Sequence, residues 1–291
     1  MSKIVGFMPI VIRSTPPDYI YLRASMYVDL SNFIGVLRNI LGIREGELRD
    51  KEVANNLASG IHSLFVELSH TMLTNIRSIR FTPFRLYCYG TYKGAEREFF
   101  RTFEERLKSL KDVETHLYEI GKGKREKGID VKLATDMLIH AVWDNYDAAI
   151  LMSGDADFEP VVRRVRDLGK KVYVYFYSFN TADELKKSSD GLIDIHPGKL
   201  AEFLSIKKVV EDLLPNCIDK LIEELKAREF YSKISEHVRF IENNVSKFEA
   251  IVEPLKKMVM EIAPASDKKD REIIFKAQLY WMIIEKFYSK S

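Results

Sequence analysis

Residues Tyr146–Tyr175 read YDAAILMSGDADFEPVVRRVRDLGKKVYVY, and their patterning decides the fold class. Asp147 to Ser153 is a short apolar run of the kind buried on both faces of a sheet. Phe158 to Leu168 carries apolar residues at helical spacing and is closed by Gly169. Lys171 to Ser178, KVYVYFYS, is rich in Val and Tyr and predicts a second strand. Two such strands joined by one helix make a parallel crossover unit.

Working outward toward the N-terminus, the alternation repeats. Met26 to Leu30 (MYVDL) predicts a strand ending in an aspartate, and Phe33, Val36, Leu37 and Ile40 predict a helix. Phe84 to Tyr89 and Val113 to Ile120 are strand candidates, with a helix over Glu96 to Leu110 between them. A further helix follows the loop Gly121 to Gly128 and runs to about Tyr146. The expected fold is α/β, a mostly parallel sheet flanked by helices. A helical insertion occupies about 44–80, with apolar residues from Val53 to Ile76 at helical spacing, as one long helix or two broken near Gly60.

Beyond Pro197 the strand signal stops. Residues 1–204 are therefore expected to form the α/β domain and 205–291 an all-helical C-terminal domain of three helices, broken near Pro215 and around Ala263 to Ser266. The C-terminal segment is nearly charge-balanced, and Ile274, Ala277, Trp281, Ile284 and Tyr288 form a helical stripe, the signature of a bundle core or a dimer seam. Dimerisation or docking of a protein partner is the expected use of these helices.

Composition excludes several classes. Two cysteines among 291 residues, Cys88 and Cys217, show no metal-binding or redox spacing, which rules out a disulfide scaffold and points to a cytoplasmic setting. Lys and Arg number 45 against 43 Asp and Glu, so contact with nucleic acid must come from a local patch rather than from overall charge. No stretch approaches the ~20 apolar residues of a membrane span. The apolar run Ile4 to Ile12 is closed by Arg13 without a cleavage pattern and is expected to be a short strand, followed by a stiff Pro16-Pro17 connector.

In an open parallel sheet, ligands bind beyond the carboxyl ends of the strands. That rule selects Asp29 at the end of the first strand, Asn32 in the turn after it, and Asp155 and Asp157 directly after Ser153. Asp130, in the first turn of the helix behind the basic loop, can point over the same edge. Clustered carboxylates disfavour one another's ionisation unless a cation neutralises them, and an all-oxygen set suits Mg²⁺ or Mn²⁺. Such an ion activates water and stabilises charge on a phosphate, which points to phosphodiester hydrolysis. Asp136 lies about 120° off the face of Asp130 and ~9 Å along an ideal helix, so it is expected behind the acids rather than among them, as is Ser153. Lys122, Lys124, Arg125 and Lys127 in the loop GKGKREKG, with Lys93 as a weaker candidate, would steer phosphate. For each aspartate alone, a helix cap or solvated turn is the ordinary role; the combination is what carries the assignment.

YVDLSNF at Tyr27–Phe33, KGIDVKLATDM at Lys127–Met137 and the opening 30-residue block together resemble the NYN family of PIN-like nucleases, in its LabA-like branch. The resemblance covers about residues 24–200 and leaves the C-terminal helices unexplained. It implies a PIN-like sheet and a metal-dependent ribonuclease site with Asp29, Asp130, Asp155 and Asp157 as metal-binding acids, Asn32 as their polar partner and Asp136 as an additional acid. The expected activity is an endoribonuclease acting on RNA, with DNA left open. The alternative is a catalytically silent RNA-binding or regulatory module of the same fold. A haloacid-dehalogenase-like phosphatase would need an acid where Ser31 stands, a D-x-S-x-S adhesion site is interrupted by Phe33, and Arg228 and His237 are too far apart for a HEPN ribonuclease.

Overall fold

The computed structural model describes residues 19–44, 46–70, 72–74, 78–121, 128–263 and 267–290. The expected strand at Ile4–Ile12, the Pro16-Pro17 connector and the side chains of Lys122, Lys124, Arg125 and Lys127 lie outside the described residues.

The chain begins with β1 (Tyr19–Asp29) and α1 (Leu30–Leu41), then α2 (Lys51–Glu67), β2 (Met72–Thr74), β3 (Ser78–Lys93) and α3 (Arg97–Lys108). It continues with β4 (Val113–Ile120), α4 (Ile129–Val142), β5 (Ala148–Met152), α5 (Glu159–Asp167) and β6 (Lys171–Phe176). After α6 (Asp183–Ser188) and β7 (Gly191–Asp194), α7 (Pro197–Leu204) is followed by a π-helical turn over Lys208–Leu213. Four helices then complete the described chain: α8 (Leu214–Lys226), α9 (Tyr231–Asn244), α10 (Phe248–Ile262) and α11 (Lys268–Lys290).

The seven strands among the described residues form one sheet in the order β2-β3-β1-β5-β6-β7, with β4 beside the C-terminal half of β3. All pairings are parallel except β2 with β3. The expected α/β architecture, a mostly parallel sheet flanked by helices and followed by C-terminal helices, is the one observed. β5 is buried at every position, as a central parallel strand must be when helices cover both faces.

Local chemistry explains most boundaries. Asp29 caps α1 by accepting the Asn32 N–H, Asp50 caps α2 through Val53 N–H, and Gly42 ends α1 at φ +61°. Gly169, at φ +81°, turns the chain from α5 into β6.

Several sequence expectations need correction. β1 starts seven residues earlier than expected, and Leu30 belongs to α1. α2 is unbroken through Gly60, because the missing side chain there admits the Phe203 ring: a Cβ would lie 2.2 Å from it. The helical pattern expected over Met72 is replaced by a strand, since Met72–Thr74 pair antiparallel with Ser78–Arg80, and Ile76 lies outside the described residues; a short apolar run does not distinguish helix from strand. β7, four residues long, was too brief to stand out.

The C-terminal region is also more divided than three helices. Pro215 lies in the first turn of α8, where a proline is tolerated, so it opens that helix instead of breaking one. The additional breaks fall between α8 and α9 and between α9 and α10. Most of the stripe on α11 is used within the chain: Ala277 and Ile284 are fully buried and Ile274 and Trp281 are part-buried against the same core, whereas Tyr288 is exposed. Phe275 meets Tyr177 edge-on at 5.4 Å and Phe179 at 5.1 Å, and the Tyr280 hydroxyl donates to the Ile40 carbonyl at 2.5 Å. The C-terminal helices therefore share one continuous core with the sheet.

Candidate active site

β1 and β5 are neighbours, and their register pairs Val28 with Met152, so Asp29 and Ser153 emerge side by side at the carboxyl edge of the sheet. Ser153 Oγ donates to Asp29 Oδ2 at 2.9 Å, and the Asn32 N–H donates to Asp29 Oδ1 at 3.0 Å. The same serine oxygen accepts the Asp155 N–H at 3.2 Å. Asn32 reaches across in the other direction, its Oδ1 accepting the Gly154 N–H at 3.1 Å. Asp155 Oδ1 in turn accepts the Asp157 N–H at 3.0 Å. A single hydrogen-bonded chain thus links the two loops that carry Asp29, Asp155 and Asp157.

Asp29 is only 5% exposed. Burial pushes its carboxyl up to about 6, the charges of Asp130 and Asp155 add to that rise, and the bonds from Asn32 and Ser153 oppose it. Asp130 and Asp155 are therefore within electrostatic reach of Asp29. Asp130, Asp155 and Asp157 are themselves exposed. Gly128, at φ +96°, is the residue before α4 and turns the chain so that Asp130 falls in the first helical turn.

The turn after β5 leaves no room for a side chain at Gly154. A Cβ there would lie 2.4 Å from the Asn180 carbonyl oxygen and 2.9 Å from the Phe176 ring. The Gly154 carbonyl accepts the Ala182 N–H at 2.9 Å. The loop after β6 thus presses against the acidic turn, a contact with no signal in the sequence because Asn180 is 26 residues away in the chain.

Asp136 has a different environment from the edge acids. It accepts from the Tyr89 hydroxyl at 3.0 Å and from Lys132 Nζ at 2.9 Å, with His116 stacked on Tyr89 at 4.9 Å. Tyr89 sits in register with Asp29 on the adjacent strand. Asp136 therefore fastens α4 to the strand beside Asp29, and burial, reinforced by Asp136, raises the Tyr89 pKa so that the hydroxyl stays a donor. One layer deeper, Tyr27 and His140 share a 2.9 Å hydrogen bond, and burial lowers the pKa of both His140 and His116. This aromatic layer was not anticipated from sequence; its signal is the alternation of Tyr27, Asp29, Tyr87 and Tyr89 on one face of two neighbouring strands.

Lys93 is exposed at the end of β3, four residues past the Asp29–Tyr89 row and so about 13 Å farther along the strand. Among the described residues, no group of three or more His, Cys, Asp or Glu side chains is close enough to form a ready metal cage. Magnesium commonly uses only one or two protein carboxylates and fills its other positions with water and substrate oxygens. The oxygen-only donor set around Asp29 and Asp155 fits that mode in chemistry. No helix among the described residues is long and apolar enough to cross a membrane.

Comparison with known proteins adds three findings. The family described as NYN domain matches residues 23–196, more than half of the chain. A solved structure of a protein of unknown function from Vibrio parahaemolyticus RIMD 2210633 is similar at 20% identity, with a TM-score of 0.40 over 60% of this chain and 93% of that one. No curated protein matches.

Proposed function

Because this chain belongs to the NYN domain family, within the PIN-like nuclease superfamily, we propose that it is a metal-dependent endoribonuclease that hydrolyses RNA phosphodiester bonds at the edge carrying Asp29 and Asp155. The observation that carries the reading is the meeting of the buried Asp29 and the Asp155 turn at one sheet edge, joined through Ser153 Oγ, with the charges of Asp130 and Asp155 adding to the rise of the Asp29 carboxyl. A buried acid raised further by neighbouring acids is costly to ionise, and a divalent cation is the natural compensation.

Asp29, Asp130, Asp155 and Asp157 are the residues that would hold Mg²⁺ or Mn²⁺. Such a cation supplies Lewis-acid stabilisation of charge on a phosphate oxygen and lowers the pKa of water. Ser153 fixes the orientation of Asp29 through Oδ2, and Asn32 holds the Gly154 backbone so that Asp155 faces the same edge. Lys122, Lys124, Arg125, Lys127 and Lys93 are the proposed contacts to the RNA backbone, and two buried free cysteines accord with a cytoplasmic setting.

The second reading is a module of the same fold that binds RNA and turns nothing over. One assay separates the two. Structured RNA, unstructured RNA and single-stranded DNA of the same sequence are incubated with the full chain and Mn²⁺, with and without chelator, beside Asp155→Asn. The nuclease reading expects internal RNA cleavage that chelator and Asp155→Asn both stop. Binding without product in every lane would replace it with the silent module.

A further inference from the structure

α5 begins two residues after Asp157 and, as the crossover between β5 and the parallel β6, returns to the opposite edge of the sheet. The segment Glu159–Lys171 holds five basic residues and only two acidic ones. Its outer surface exposes Arg163 and Arg164, which among the described residues pair with acids within their own helix, Glu159 and Asp167. Exposed pairs of this kind contribute little and exchange readily for another anion.

At the far end of α5 the surface dips into a depression of about 540 Å³, lined by Arg163, Arg166, Lys170 and Lys171 with Asp167 and Asp190. Here the cations are held in place. Asp190 forms an ion pair with Arg166 Nε at 3.2 Å and accepts from Lys171 Nζ at 3.0 Å, and the Val172 N–H fixes its position at 2.9 Å. Two cations that share one carboxylate leave a positive charge uncompensated, and the shared partner keeps both heads at the mouth of the depression. Lys170 is tied to Asp144 and is not counted in the track.

We propose that the outer face of α5 and this depression form a phosphate track that receives single-stranded RNA leaving the acidic edge. Arg163 and Arg164 contact the intervening backbone, and Arg166 and Lys171 grip a phosphate at the far end. The proposal rests on the nuclease reading for its direction, since α5 starts at the acidic turn. β6 is six residues long, so the two ends lie on the order of 20 Å apart, or about six nucleotides at ~3.4 Å per stacked base. The preferred substrate is accordingly a strand long enough to span both, and a dinucleotide reaches only the acidic edge.

The test measures binding of a fluorescent 12-nucleotide single-stranded RNA and of a dinucleotide to the full chain, across a salt series and in the presence of chelator. The double variant Arg163→Gln/Lys171→Gln is compared with wild type and with Arg101→Gln, an exposed arginine on α3, after thermal melts establish that all three are folded. The double variant is expected to bind the 12-mer about tenfold more weakly at ~0.1 M salt, with the slope of log affinity against log salt reduced by about 1.4, or ~0.7 per lost contact. Dinucleotide binding and Arg101→Gln should be unchanged. Unchanged 12-mer affinity and slope in the double variant would overturn the track. The two readings fail separately: loss of 12-mer binding in a chain that cleaves nothing with Mn²⁺ supports the track and removes the nuclease, whereas equal cleavage of 12-mer and dinucleotide with an unaffected double variant does the reverse. If Lys171→Gln unfolds the chain, Arg163→Gln/Arg164→Gln gives the same readout from helix surface positions, with loss of 12-mer affinity supporting the track and unchanged affinity overturning it.

Discussion

Ser153 Oγ donates to the buried Asp29 carboxylate at 2.9 Å while accepting the Asp155 N–H at 3.2 Å, so one hydroxyl holds two candidate acids from different loops. Ser153→Ala removes the donor and leaves a buried carboxylate oxygen short of a partner, which costs about 1–3 kcal/mol. The Asp29 pKa should rise further, because the hydroxyl bond opposes burial. Denaturant melts and the pH dependence of RNA cleavage check this: the acidic limb of the profile should move to higher pH. An unmoved limb would mean that Asp29 does not have to be ionised.

The Asp29 carboxyl is raised from 3.8 to about 6. A raised acid binds its proton more tightly when folded, so its contribution is most favourable below the unfolded value and is lost as pH climbs from about 4 to about 6. At neutral pH the ionised group costs on the order of 2–3 kcal/mol. Asp29→Asn should therefore be more stable than wild type at pH 7.5 in chelator, match it near pH 4, and lack cleavage activity. Melting curves across that window measure the difference; a variant less stable at pH 7.5 contradicts it.

Gly154→Ala should be among the most damaging single-methyl changes. The added carbon would meet the Asn180 carbonyl at 2.4 Å, a backbone atom that cannot swing aside. Overpacking of this kind costs about 1–3 kcal/mol, and relief requires the loops after β5 and β6 to separate. Loss of Mn²⁺-dependent cleavage should accompany the lower denaturation midpoint. By contrast, Gly169→Ala, with open space around its Cβ but φ +81°, should cost stability without abolishing activity.

Phe275 and Tyr280 separate two roles of α11. Phe275 is 7% exposed and packs on Tyr177 and Phe179, in the loop that leads to Asn180 and the acidic turn. Tyr280 ties the same helix to the Ile40 carbonyl on α1. Phe275→Ala should cost ~3–5 kcal/mol and reduce cleavage even well below the melting temperature. Tyr280→Phe should cost about 1–3 kcal/mol with activity retained. Equal activity losses at matched stability would show that the helix acts on the site only through global stability.

The sequence by itself determined the architecture around residues 146–175, because a doubly buried strand, an amphipathic helix and a glycine exit are local patterns. It also placed Asp29, Asp155 and Asp157 at strand ends, since parallel crossovers leave their acids on one edge regardless of side-chain detail. Tertiary structure decided what no local pattern encodes. Register put Ser153 on one side of Asp29 and Tyr89 on the other, burial raised the Asp29 carboxyl, and Asn180 closed on Gly154 from a distant loop. The apolar stripe of α11 was legible, but its surroundings were not: a helix face records that it must be covered, while only the folded chain specifies that Phe275 and Tyr280, outside that stripe, meet Tyr177, Phe179 and α1.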